Sequence, residues 1–422
     1  MKGLSSEGVS KQLADAMAKP AASIKKLGDV DGAMKTAAKK VEATYEMPFL
    51  SHSPMEPMNF TADVRKDSAL LVGSIQFQQA ALGIASAMTK LKPEQITIKT
   101  TFLGGGFGRR IDLDYMMQAV EISMNIGKPV KLVWTREDDM THDFYRPASL
   151  HQLTAGLDGS GKPVAISHKM SSPSVTARLF PPVVKDGVDP FMAEAIVVPY
   201  DIANQSVGTV IHEPGLRVGY LRSVSHALNI FANESFIDEM AAAAGKDPYQ
   251  YRMDMLGGKP RYANVLKLAA DKAGWGKPLP KGRARGIALM EGYETYMAQV
   301  AEVSVQGGQI KVHRVVVAVD LGQMVNPNIV EQQLESNIVF GLTALLYGNI
   351  TLKAGRVEQT NFHDYKLLRM NEMPKVEMHI VKSTEKPGGI GEPGMALISP
   401  AVANAVFTLT GKRLRKMPFS LA

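Results

Sequence analysis

Apolar positions recur along most of the chain with the two-residue spacing of strands or the three- to four-residue spacing of helices. Predicted strands lie at 70–76, 96–102, 130–134 and 376–382, and predicted hairpins lie at 151–170 and 298–320. Predicted helices lie at 78–90, 114–125, 223–244 and 330–347, and a last helix ends before Gly411. The interleaving of the two spacings, with hairpins in both halves, indicates a mixed α/β (α+β) fold.

Some boundaries depend on local signals. The 223–244 helix is predicted to be amphipathic, from the helical spacing of Ala227, Ile230, Phe231, Ile237 and Met240. The last helix is predicted to begin at Pro400 with Ser399 as its N-cap, after an irregular glycine-rich loop at 388–398. Residues 1–44 are polar and rich in Ala and Lys, so they are predicted to be a weakly helical connector. A break between two units is predicted near 265–285.

The composition excludes several classes of site. The 422 residues include no cysteine, which excludes disulfides, cysteine-ligated zinc, a cysteine nucleophile and an iron–sulfur cluster held by this chain. The nine histidines are dispersed, so we predict no metal ligated by side chains. The net charge of +7 is mild and the basic pairs are scattered, which favours a solvated surface over nucleic-acid binding.

No apolar run in the sequence approaches the about 18–20 residues that cross a bilayer, so we predict no membrane span. The first residues lack the hydrophobic stretch of an export signal. We therefore expect either a cytoplasmic chain or a chain that belongs to a longer precursor.

Two glycine-rich segments are candidate functional loops. Segment 104–110 lacks the Gly-Lys-Ser/Thr of a P-loop, and Arg109 stands where a dinucleotide fingerprint needs its third glycine. Its three consecutive glycines fit either an anion-binding nest of amides or a tight strand-to-helix connection. Segment 387–394 places Glu392 between glycines and prolines. Most glutamates in such loops are simply solvated, but one shielded from water beside a ligand can act as a general base.

These segments resemble a known family. Thr101-Phe-Leu-Gly-Gly-Gly-Phe-Gly-Arg-Arg110 resembles the cofactor loop of the xanthine oxidase/aldehyde oxidase molybdenum hydroxylases, and Gly388-Gly-Ile-Gly-Glu392 resembles their catalytic-glutamate loop. Gln76 lies thirty-one residues before Phe107, as in the family. The closing segments 399–405 and 411–415 are similar to the isoquinoline 1-oxidoreductase β-subunit branch, which includes membrane-associated aldehyde dehydrogenases.

The resemblance implies a molybdopterin-binding large subunit that is N-terminally truncated relative to the family. Two molybdenum-cofactor-binding domains, at 45–270 and 271–422, would follow the 1–44 connector. The implied cofactor is a molybdenum pyranopterin, in the molybdopterin cytosine dinucleotide form, with its metal held by the dithiolene. Glu392 is implied as the catalytic base. The residues implied to bind or line the cofactor are Gln76, Gly105, Gly106, Phe107, Gly108, Arg222, Gln333 and Gly391.

The activity implied by the resemblance is hydroxylation of an aldehyde or N-heteroaromatic carbon with oxygen from water. Ile111 stands where xanthine-oxidising members carry a Glu, which argues against purines, and Ser336 stands where the family often has Gly. Because the chain has no cysteine, electrons would pass to a separate 2Fe-2S subunit, in this branch often with a cytochrome c subunit as well. The resemblance implies a periplasmic location, with the export signal outside this chain; a cytoplasmic location is the alternative.

Two other hypotheses stay open at the level of sequence. The chain is a truncated or split, non-catalytic partner that binds cofactor only with a second polypeptide, or it is an ordinary protein whose glycine loop binds an anionic phosphate ligand.

Overall fold

Three main sheets and the helices packed on them form the part of the chain that the computed structural model describes, residues 3–421. The α-helices are α1 (Ser6–Ala16), α2 (Val30–Thr36), α3 (Gln78–Thr89), α4 (Asp114–Ile126), α5 (Arg136–Thr141), α6 (His226–Ala243), α7 (Pro248–Asp254), α8 (Pro260–Ala273), α9 (Pro327–Leu346) and α10 (Pro393–Thr410). The strands are β1 (Ala22–Leu27), β2 (Lys39–Met47), β3 (Asn59–Val64), β4 (Ala69–Gly73), β5 (Ile96–Thr100), β6 (Val130–Val133), β7 (Ser149–Leu157), β8 (Pro163–Ser172), β9 (Asn204–Ile211), β10 (Arg283–Gly292), β11 (Thr295–Gln306), β12 (Gln309–Asp320), β13 (Leu352–Lys353), β14 (Arg356–Val357) and β15 (Lys375–Ile380).

The mixed fold predicted from the sequence is confirmed. One sheet has the strand order β1-β9-β8-β7-β2, in which β8 and β9 are parallel and the other neighbours are antiparallel. A second has the order β10-β11-β12-β15, and a third has the order β5-β4-β3-β6. Both predicted hairpins are present, as β7–β8 and β11–β12.

The prediction of a connector over residues 1–44 is wrong, because this segment forms two edges of the five-stranded sheet. It contains α1, α2, β1 and most of β2, and β1 pairs with β9 while β2 pairs with β7. Lys25 and Lys26 on β1 and Lys39 and Lys40 on β2 are typical of edge strands, where charge discourages pairing with another chain. The same charges give the sequence its loop-like character.

The sequence predicted an amphipathic helix at 223–244, and this prediction is wrong. Helix α6 is buried on nearly every side. Its polar residues are enclosed because they have partners. Glu234 accepts hydrogen bonds from Tyr200 at 2.7 Å and Arg252 at 2.9 Å, and the Asn229 amide donates to the carbonyl of residue 194 at 2.7 Å. Buried polar groups that are paired in this way do not oppose burial of the helix.

Helix α10 begins seven residues earlier than predicted. Glu392 is its N-cap and Pro393 its first residue, so Pro400 lies inside the helix, while the predicted end before Gly411 is confirmed. Ser399 and Pro400 imitate a helix start, but packing of an almost wholly buried helix outweighs the ~3 kcal/mol cost of an interior proline. Among the described helices, α10 alone is long and apolar enough to cross a membrane, and 78% of it is buried inside the protein, as in a core helix.

Glycines allow α10 to lie directly on its neighbours. A Cβ at Gly286 on β10 would lie 2.2 Å from the carbonyl oxygen of Ala401, and one at Gly341 on α9 would lie 2.3 Å from the side chain of Ile398. Strand and helix therefore approach backbone to backbone, with α10 at the centre of the largest hydrophobic core. This packing fixes where the first residue of α10, and Glu392 before it, must lie.

Candidate active site

A cavity of about 720 Å³ lies where the 104–108 turn, the segment before α6 and the start of α10 meet. It brings together seven of the nine residues predicted for the site. They are Gln76, Gly106, Phe107, Gly108, Arg222, Gln333 and Glu392. Gly105 lines an adjoining cavity of about 430 Å³ that shares Phe107, and Gly391 lies in the loop behind Glu392.

The 104–108 turn is shaped by contacts that tolerate only glycine. Gly108 has φ +108°, and a Cβ there would lie 1.6 Å from the carbonyl oxygen of Tyr220. The side-chain oxygen of Gln76 accepts the amides of Gly108 and Arg110, each at 3.2 Å. At the other end of the turn, the Gly104 amide donates to the Glu56 carboxylate at 2.7 Å, so the protein itself supplies an anion to this part of the predicted nest.

Arg222 joins the turn to the Glu392 loop. Its amide donates to the carbonyl of Phe107 at 2.9 Å, and its Nε donates to the carbonyl of Gly391 at 2.6 Å. Its two terminal nitrogens donate to Ser336 Oγ and to Gln333 Oε1, both at 2.8 Å. Burial lowers the pKa of Arg222, and the nearby charge of Glu392 acts in the opposite direction. Arg222 therefore holds two glycine-rich loops and α9 in one arrangement, contacting the 104–108 turn through its backbone amide and the Gly391 loop and α9 through its guanidinium.

A backbone amide orients the Glu392 carboxylate. Its Oε1 accepts the amide of Ser223 at 3.0 Å, and it stands at the N-terminus of the 18-residue α10. The positive end of a helix dipole favours a carboxylate there. The arrangement orients an acidic group at the wall of a cavity, which is what a general base requires.

Three residues around Glu392 were missed in the sequence. Tyr293 and Glu194 line the same cavity, and the ring of His226 stacks on Tyr293 at a centroid distance of 4.6 Å. Burial raises the pKa of Tyr293, and the charges of Glu392 and Glu194 add to this effect. One signal was available. Tyr293 and Glu294 occupy the two-residue turn between β10 and β11, where positive φ favours Asn or Gly, so two larger residues at these positions are unusual.

Strained backbone is concentrated around the cavity. Several non-glycine residues that line it, or that adjoin a lining residue, have positive φ. They are Phe107 (55°), Ala195 (57°), Ser223 (73°), Val224 (38°), Tyr293 (58°) and Glu294 (63°). Such conformations cost of order 1–3 kcal/mol each and persist where a site requires them.

The comparisons with known proteins identify the family. A profile described as "Molybdopterin cofactor-binding domain" matches residues 12–256, more than half of the chain. The chain belongs to the molybdopterin cofactor-binding family. A second profile of this family, with the same description, matches residues 241–374. The resemblance to large subunits of the xanthine oxidase family is thereby confirmed, while the division of the chain at 270/271 stays a prediction.

Relatives within this family span more than this chain does. The chain is 30% identical over 403 residues to the isoquinoline 1-oxidoreductase subunit beta of Brevundimonas diminuta, covering 93% of this chain and 52% of that protein. It is 32% identical over 419 residues to the membrane-bound aldehyde dehydrogenase (pyrroloquinoline-quinone) of Gluconacetobacter polyoxogenes, covering 92% and 54%. The chain thus spans about half the length of these curated relatives.

A solved structure has the same fold. Quinoline 2-oxidoreductase from Pseudomonas putida 86 superposes with a TM-score of 0.83 at 12% identity, covering 95% of this chain and 78% of that one. The fold is therefore that of the molybdenum hydroxylases.

The described residues fit the cofactor that gives the family its name. Within residues 3–421, no group of three or more His, Asp or Glu is arranged to ligate a metal. The cavity offers backbone amides and neutral amide side chains, with Tyr293 Oη buried and unpaired among the described residues. Polar atoms of this kind are suited to the edges of a planar, polar ring system.

Proposed function

We propose that this chain is the molybdopterin-binding catalytic part of an oxidoreductase that hydroxylates an aldehyde or N-heteroaromatic carbon. The reaction takes oxygen from water: the C–H bond and one water become a C–OH bond, two protons and two electrons. The observation that carries the proposal is the shared cavity of Glu392 and the 106–108 turn. The matched relatives, whose names refer to isoquinoline and aldehyde oxidation, support this class of substrate.

When bound, a molybdenum pyranopterin supplies electrophilic activation and accepts the two electrons. Gln76, Gly106, Phe107, Gly108 and Gln333 would hold it from the cavity wall. Gly105 and Gly391 would contribute indirectly, because they belong to the 104–108 turn and to the loop before Glu392. Arg222 acts on it through Gln333 and the Gly391 carbonyl.

Glu392 receives the proton lost by the attacking oxygen. The amide of Ser223 keeps the carboxylate oriented during this transfer, because its hydrogen bond at 3.0 Å is made to Oε1. Ile111, Phe180 and Phe191 line the cavity with apolar surface, which excludes water around the reacting carbon.

Three finer features belong to the proposal. The cofactor is the cytosine dinucleotide form, and the electrons leave through a separate 2Fe-2S subunit, with a cytochrome c subunit as a further partner. The absence of cysteine supports the separate subunit, because iron–sulfur clusters need cysteine ligands. The location is periplasmic, and a cytoplasmic location is the alternative.

Metal analysis of the purified chain tests the proposal. About one molybdenum per chain, together with oxidation of an aromatic aldehyde in an assay with an artificial acceptor, is the expected result. Binding of inorganic phosphate without molybdenum would contradict it and favour an anion-binding protein.

The second candidate function is that of a truncated or split, non-catalytic partner that loads cofactor only with a second polypeptide. The chain spans 52% and 54% of the two relatives. Molybdenum that appears only after co-expression with the remaining half of such a relative would support that candidate.

A further inference from the structure

The cavity contains a second carboxylate that the proposed reaction does not use. Glu194 lines the cavity near Glu392, and its side chain is 29% exposed. Its Oε2 is buried, and no donor among residues 3–421 reaches it with hydrogen-bond geometry; His226 Nδ1 lies at ion-pair distance, 3.4 Å, and pairs with it only when the imidazole is protonated. A buried carboxylate oxygen without a donor is a group that a ligand can satisfy.

The backbone holds Glu194 in place. Asn229 of α6 donates to the carbonyl of Glu194 at 2.7 Å, and Asn233, one turn further along, donates to the carbonyl of Ala195 at 2.9 Å. Ala195 itself has a φ of +57°. A strained segment anchored by two asparagines positions the carboxylate before a ligand arrives.

Tyr293 adds a second unpaired group beside Glu194. Its hydroxyl is buried without a hydrogen-bond partner among the described residues, and its ring is stacked on His226. The carboxylate and the phenol together present an acceptor and a hydroxyl to the same cavity.

The charged residues of the cavity wall are unbalanced. Among the lining residues, Glu194 and Glu392 are acidic and Arg222 is basic. The Arg222 side chain already donates to three neutral protein oxygens, and its single positive charge stands against two carboxylates, so the lining keeps a net negative charge. The remaining wall is largely aromatic or aliphatic, formed by Phe77, Leu103, Phe107, Ile111, Phe180, Phe191, Tyr220, Leu221 and Val224.

We propose that Glu194 is a specificity-determining residue that selects planar aromatic substrates with a cationic or hydrogen-bond-donating group and disfavours those with a carboxylate. The inference rests on the proposed function, in which this cavity receives the substrate. Aromatic walls suit a planar ring, and a carboxylate beside it attracts positive charge and repels negative charge.

Binding of two matched ligands tests the inference. Benzamidinium and benzoate are planar aromatic ions of similar size and opposite charge, and titration calorimetry on the purified protein measures both affinities. We expect benzamidinium to bind at least about tenfold more tightly than benzoate. Glu194→Gln keeps the size but removes the charge, so it should reduce this ratio about tenfold, whereas Glu194→Asp should retain most of it.

Glu94→Gln, an exposed position before β5, is the charge-matched control and should leave the ratio unchanged. Equal affinities, tighter binding of benzoate, no binding of either ligand, or an unchanged ratio in Glu194→Gln would each overturn the inference. The measurement needs no turnover. A preserved preference in a protein that takes up no molybdenum would instead refute the proposed reaction and keep the ligand selection.

Discussion

Individual backbone amides and carbonyls, more than side chains, position the groups of the cavity. The Ser223 amide holds Glu392, the Phe107 carbonyl receives Arg222, and the Tyr220 carbonyl faces the surface of Gly108. Because backbone groups do the positioning, a side-chain substitution such as Glu392→Gln can remove the chemistry and leave the positioning intact.

Replacing the proposed base should stop the chemistry and spare the cofactor. Glu392→Gln can still accept the Ser223 amide, but it cannot take up a proton. Turnover should fall by about 10²–10⁴, the usual contribution of general base catalysis, while molybdenum content stays unchanged. Metal analysis and single-turnover kinetics on the same preparation measure both quantities. A fully loaded variant with near-normal turnover would remove Glu392 from the mechanism.

The glycine at 108 is expected to be irreplaceable for steric reasons. Gly108→Ala places a methyl group 1.6 Å from a backbone oxygen that cannot move aside, and it strains a φ of +108°. Gly215→Ala is the matched control, because its φ is +100° and nothing lies within 4 Å of the added methyl. The control should lose about 1 kcal/mol of unfolding free energy, measured with urea, and keep its molybdenum. Equal losses in the two variants would show that backbone strain alone matters at Gly108.

Motifs revealed the site residues in the glycine loops, and the family resemblance supplied Gln76, Arg222 and Gln333, which stand outside those loops. Other site residues were missed. Phe107 and Glu392 were found because the glycines around them form a recognisable pattern. Glu194, Ser223 and Tyr293 come from separate segments and meet only in the folded chain. Their positions depend on backbone with positive φ, which cannot be recognised in the sequence except at the two-residue turn that contains Tyr293.

At the scale of elements, Arg222 connects the segment before α6 with α9 and with the loop before α10. Arg222→Ala leaves the carbonyl of Gly391 and the side chains of Gln333 and Ser336 without their donor. Because the 391–392 loop then loses its anchor, the first expected defect is lower molybdenum content.

The unfolding free energy of Arg222→Ala should also fall, by about 1–3 kcal/mol. Arg217→Ala removes a nearby exposed arginine that donates to the carbonyl of His142 and stacks on Phe144, and it should lower the unfolding free energy by no more than about 1 kcal/mol. Unchanged metal loading in Arg222→Ala would exclude Arg222 from holding the site.

Elements with a clear apolar repeat were predictable, and elements whose local signals mislead were not. Strands β7 and β12, most of whose residues are buried, were found within a few residues. Edge strand β1 is too polar to show the pattern. Helix α10 is too enclosed to show a polar face, so its proline was mistaken for its start. Local propensity decides only where tertiary packing leaves a choice.

Over the whole molecule, a buried ion pair fastens distant parts of the chain around the cavity. His52 Nδ1 lies 2.9 Å from Asp143, and its Nε2 lies 2.8 Å from the carbonyl of Tyr220. Both ring nitrogens face acceptors, as in a protonated imidazole. Burial alone would lower the pKa of His52, but Asp143 outweighs it and raises the pKa. Burial raises the pKa of Asp143, yet His52 and Arg109 lower it to about 2.

The ion pair predicts how stability depends on pH. The pKa of His52 is higher in the folded chain than the about 6.5 of an unfolded one, so its stabilisation is complete below that value. It is lost as the pH rises through the folded pKa. The stabilisation that the depressed pKa of Asp143 contributes is lost only as the pH falls through about 2. We expect the advantage of the wild type over Asp143→Asn, in free energy of urea unfolding, to shrink between pH 6 and pH 9. A constant or growing advantage would contradict the assignment.

The carboxylate proposed as the base and the centre of the largest core belong to the same helix. Helix α10 has Glu392 at its tip and passes its whole length through the interior, with the backbone of Gly286 pressed against its middle. Glu392 therefore cannot leave its position while the core remains folded. Loss of activity on heating should therefore coincide with unfolding of the core. The rate of inactivation at high temperature would be set by unfolding of the core around α10 rather than by local opening of the cavity.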